Sequence, residues 1–156
     1  MSIPTDLELG AFSSGEELAW PKERLPEVLR SLSEQGLAVL GGELWVVAGG
    51  VIHAGHVLKS TRQVAVCAWE AAPRGEEETW AMFVERCAEE NLKITSTLNP
   101  ERDFAPIPSG LIYYNLTWVA QDEYEQIKER GANYTLQRSG GGRLGADFVR
   151  TFARRG

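Results

Sequence analysis

Two adjacent glycines, Gly41 and Gly42, interrupt the β-prone run "LAVLGGELWVV" between Leu37 and Val47. How the backbone uses them decides what the chain can become. A loop that cradles phosphate needs a long glycine-rich turn feeding a helix N-terminus, with Lys-Ser/Thr or GxGxxG spacing. Here the chain leaves the glycines through "ELWVV", again too short and too β-prone for a helix. The nucleotide reading fails at that point. Two glycines between β runs instead predict a hairpin, because tight primed turns demand positive φ.

The flanking segments set the fold class. In "PKERLPEVLRSLSEQG", Leu25, Val28, Leu29 and Leu32 recur at helical spacing. Pro26 fits in the first turn of a helix beginning near Arg24, and Gly36 suits its left-handed end. "AGGVIHAGHVLKSTRQ" reads as a glycine-rich connection with a short strand at Val51 and Ile52, and "VAVCAW", Val64 to Trp69, as a buried strand. "EEETWAMFVERCAEENLKI" predicts a helix with Trp80, Phe83, Val84, Cys87 and Leu92 on its inner face. Glu76, Glu77 and Glu78 would sit at the positive end of its dipole.

"LIYYNLTWV" is the strongest strand, with Ile112, Tyr114, Leu116 and Trp118 expected toward the core. "QDEYEQIKER" predicts a short helix closed by Gly131. Residues 1–19 form an N-terminal segment of weak signals, in which "SSGEE" reads as a loop or a helix start. Residues 131–156 read as a basic tail with a glycine hinge, ending in a short helix that carries Phe148 and Phe152. The whole chain, 1–156, predicts one α+β domain: a small, mainly antiparallel sheet with helices packed on one face.

Catalytic chemistry finds little support. His53 and His56 form HxxH, but zinc-binding helices use HExxH, and Gly50 and Gly55 argue against a helix there. Both histidines read as turn residues. Cys67 lies in an apolar β run, where burial raises a thiol pKa, and Cys67 and Cys87 read as small hydrophobes. There is no GxSxG elbow, and the carboxylate runs look like solvated helix surface. The expectation is a protein that is no enzyme and holds no cofactor or metal.

Charge points elsewhere. The chain carries 16 basic and 22 acidic residues, net −6. From Gly131 onward, Arg138, Arg143, Arg150, Arg154 and Arg155 face one acid, Asp147. The first 130 residues therefore hold 11 basic and 21 acidic residues, net −10. An acidic body repels nucleic-acid phosphates and suits a cationic protein partner. No apolar run approaches the ~20 residues that span a bilayer, and no leader pattern opens the chain, so a cytoplasmic protein is expected. Five tryptophans supply both core volume and candidate interface anchors.

The segments "EQGLAVLGGELWVV", "EEETWAMFVERCAEE" and "IYYNLTWVAQDEYEQI", in that order, resemble immunity proteins of bacterial polymorphic-toxin systems. The resemblance spans element order from Trp20 to Arg130. Its specific parts are Gly36 to Trp45 and the helix around Trp80. The glycine-rich "AGGVIHAGHVLK" connection and the arginine-bearing tail depart from it. It implies a small α+β inhibitor that binds a cognate toxin and occludes its active site. A cationic effector such as a nuclease is the toxin class that the acidic body suits. Contacts are expected from Glu76, Glu77 and Glu78 and from Asp122, Glu123 and Glu125, with Tyr124 as an anchor. The competing readings are a ligand-binding or enzymatic α+β domain with a pocket near His53, His56 and Tyr113, or a regulatory subunit self-associating through a sheet edge.

Overall fold

The amphipathic stripe from Leu25 folds into helix α1 (Leu25–Glu34), with Leu25, Val28, Leu29 and Leu32 buried and Pro26 in its first turn. A 3₁₀ turn over Lys22–Arg24 leads into it, and Gly36 at φ 72° follows its end. The computed structural model describes residues 8, 10–48, 51–54, 56–58, 64–66, 68–98 and 111–130. The predicted helix of the tail and Cys67 lie outside the described residues.

Before α1, strands β1 (Phe12–Ser14) and β2 (Glu17–Trp20) form an antiparallel hairpin with Ser14 opposite Glu17. The loop is Gly15-Glu16, and Gly15 supplies the positive φ, 61°, that such a turn needs. "SSGEE" is therefore a β-turn between strands, which the short, weakly alternating flanks concealed.

The glycine pair makes no hairpin. Strand β3 (Ala38–Ala48) runs unbroken through Gly41 and Gly42. It pairs along one edge with β8 (Leu111–Val119) from Ala38–Val119 to Val47–Leu111, with a register shift between Val39 and Gly41. Leu40 is the extra residue of this bulge, which flips the alternation: Val39 opposes Trp118, whereas Gly42 opposes Leu116 and Leu44 opposes Tyr114. On the other edge, Gly42 lies opposite Trp69 of β7 (Ala68–Glu70). A Cβ on Gly42 would run into the Asn115 carbonyl oxygen and lie 2.8 Å from Cζ2 of Trp69. The glycine is there for close approach, a role that looks the same as a turn in sequence.

Strand β4 (Val51–Ala54) pairs with the far end of β3, so the main sheet runs β1-β2-β8-β3-β4 with β7 also on β3. A separate antiparallel pair joins β5 (His56–Leu58) to β6 (Val64–Val66). The single strand expected over Val64 to Trp69 is thus divided between two sheets. His53 and His56 fall on β4 and β5 and not in turns.

Helix α2 (Trp80–Thr97) begins at Thr79, whose hydroxyl accepts the Met82 N–H at 3.2 Å. No acidic residue lies in its first turn, so Glu76–Glu78 precede the helix. Its inner stripe is Phe83, Val84, Cys87, Asn91 and Thr95. Leu92, expected inside, is 40% exposed. Positions 87, 91 and 95 repeat every four residues, and Leu92 falls about 100° from Asn91 at the centre of that line.

One core cluster joins Trp20, α1, Leu44, Trp69, Tyr114, Leu116 and Trp118, with Ala88, Ile94 and Leu98 packed against it. Helix α3 (Gln121–Arg130) closes a second cluster in which Tyr124 and Ile127 meet Phe83, Val84, Cys87 and Val119. The architecture is α+β, with every described strand pairing antiparallel.

Candidate functional site

The turn of residues 71–79 carries one of the two acidic segments singled out in the sequence, and its shape comes from a single cation. Arg86 donates from Nε to Glu78 Oε1 at 2.7 Å and from Nη2 to Glu78 Oε2 at 2.9 Å. It also reaches Glu90 Oε1 at 2.7 Å and the carbonyls of Ala72 and Pro73. Hydrogen bonding to Arg86 holds the Glu78 carboxyl at about 2, well below its ordinary value. Glu78 Oε2 also accepts the Gly75 N–H at 3.0 Å, closing the turn.

Glu78 is therefore an internal strut, its side chain 14% exposed. Glu76 and Glu77, ahead of it, stay exposed.

The second acidic segment is the first turn of α3. Asp122 and Glu125 are exposed and Glu123 is half-buried. Tyr124 is 1% exposed and so is no surface anchor. It sits three residues before Ile127 on the inner stripe, where its ring meets Phe83 at 4.9 Å and Trp80 at 5.6 Å. Its hydroxyl oxygen accepts the Arg74 backbone N–H at 2.9 Å, and burial pushes its pKa up. That bond ties the 71–79 turn to α3.

As a result the two segments, about 45 residues apart in sequence, share one open cleft of about 350 Å³. Arg74, Gly75 and Glu76 line one wall, and Tyr124, Glu125, Lys128 and Glu129 the other. Two cations, Arg74 and Lys128, are therefore part of the lining. Arg74 donates from Nε to the Glu78 carbonyl at 2.8 Å, approaches Glu125 at 4.0 Å and lies 6.0 Å from the Trp80 ring. Lys128 Nζ lies 6.0 Å from the Tyr124 ring. Glu76, Glu125 and Glu129 are the acidic residues of the lining, and all three are exposed.

Of the residues expected from the sequence, Glu76 and Glu125 are brought together here with Tyr124 as the floor, while Glu77, Asp122 and Glu123 do not line the cleft. Sequence reasoning missed Arg74, Lys128 and Glu129. Lys128 and Glu129 lie four residues beyond Tyr124 and Glu125, a helical repeat that would have located them. Arg74 carries no such signal, since its place depends on the fold of the turn.

Elsewhere, the sheet face bearing Phe12, Glu43, Trp45, Tyr113 and Asn115 follows from the strand registers. Phe12 meets Tyr113 at 5.2 Å, and Trp45 donates from Nε1 to Glu43 Oε1 at 2.8 Å. Burial, with the charge of Glu43, raises the Glu17 carboxyl pKa. The Cys87 thiol is pushed up to about 12 by burial, which leaves it protonated and unsuited to nucleophilic attack. Among the described residues no group of three or more His, Cys, Asp or Glu could hold a metal ion, and no helix is long and apolar enough to cross a membrane. No protein-family model, curated protein or solved structure matches the chain.

Proposed function

We propose that this protein is an immunity protein: it binds a cognate bacterial toxin in the cytoplasm and occludes the toxin's active site, with no turnover of its own. The observation that carries the proposal is the meeting of Glu76 and Glu125 across one cleft. Two acidic segments with a shared surface give a cationic partner a single place to dock, and a rigid one. The Arg86 strut and the Arg74–Tyr124 bond fix both walls, so little conformational entropy is lost on binding. The net charge of −10 over residues 1–130 would speed encounter with a basic toxin such as a nuclease. The resemblance of "EQGLAVLGGELWVV" and the Trp80 helix to immunity proteins points the same way.

A toxin-domain gene adjacent to this one is the first expectation, and co-expression with that toxin domain tests the proposal. Survival of the cells together with a co-purifying complex supports it; cell death with no complex overturns it.

A further inference from the structure

We draw no further inference here: the strongest candidate, the Glu17 and Glu43 carboxylates beside Trp45 on the Phe12–Tyr113 face of the sheet, rests on an acidic pairing and a raised carboxyl pKa, with no second observation that points to a ligand.

Discussion

The Asn91 carboxamide oxygen accepts the Trp69 indole N–H at 2.9 Å, while its amide donates to the carbonyls of Val39 and Cys87, each at 2.8 Å. A single fully buried polar side chain thus joins α2, β7 and β3 beside the β3 bulge. All three contacts are saturated, so the amide costs little to bury and a great deal to remove. Asn91→Leu, similar in volume, removes the acceptor of the buried indole N–H and a donor to the Val39 carbonyl, and is expected to cost about 2–3 kcal/mol. In a Trp69→Phe background the same substitution should cost measurably less, since one orphan donor is gone. Urea unfolding of the four proteins, followed by far-UV circular dichroism, checks both values; equal costs in the two backgrounds would mean the bond contributes nothing.

Gly42 and Gly36 should respond differently to alanine. At Gly36, φ 72° strains an L residue but nothing lies within 4 Å of the added Cβ, so Gly36→Ala is expected to cost about 1–2 kcal/mol. At Gly42 the Cβ meets the backbone of β8 and the Trp69 ring, neither of which can give way without parting strands. Gly42→Ala should cost about 3 kcal/mol or fail to fold. Thermal unfolding ranks the two; the reverse order would contradict the continuous strand.

The Arg86 strut carries a defined pH dependence. Glu78 is held at about 2 in the folded protein against an ordinary 4.5. A depressed carboxyl stabilises the fold fully above its unfolded pKa, and that contribution is lost as pH falls from about 4.5 toward 2. Glu78→Gln should lower stability by about 1–2 kcal/mol at neutral pH. It should also flatten the decline in melting temperature across the acid window. A variant whose acid profile parallels the parent's would show that Arg86 and Glu78 are not coupled.

Much of the fold was legible because local pattern and burial agree. Leu25–Leu32 sits where its periodicity puts it, and "QDEYEQIKER" is helical to its ends. The β8 run is a strand, but from Tyr114 to Val119 it is buried on both faces, so the expected outward set of Asn115, Thr117 and Val119 is inside as well. The errors share a physical origin. Glycine reports the need for a missing Cβ without saying whether the cause is a turn, as at Gly15, or a neighbouring chain, as at Gly42.

A run such as "VAVCAW" shows β-propensity but not which strand it pairs with. At the candidate site, acidity was visible and partnership was not. Nothing local distinguishes Glu78, bound to Arg86 eight residues away, from exposed Glu76 beside it. Tyr124 looked like an anchor among acids until Phe83 and Trp80 were brought against it.

The central claim is that the Glu76–Glu125 cleft receives a cationic toxin. Calorimetric titration of the full chain with a toxin domain found encoded by a neighbouring gene measures it most directly, using the parent and the Glu76→Lys/Glu125→Lys variant. Both residues are exposed and outside the Arg86 strut, but Glu125 gives up its 4.0 Å approach to Arg74. The variant's unfolding midpoint is measured alongside and should fall only slightly, through loss of an exposed pair worth about 1 kcal/mol or less. The account predicts a tight one-to-one complex with the parent that weakens as salt is added, and binding weakened about 100-fold or more, with a smaller loss on adding salt, in the variant. Equal affinity for both proteins, or no binding by either, would contradict it.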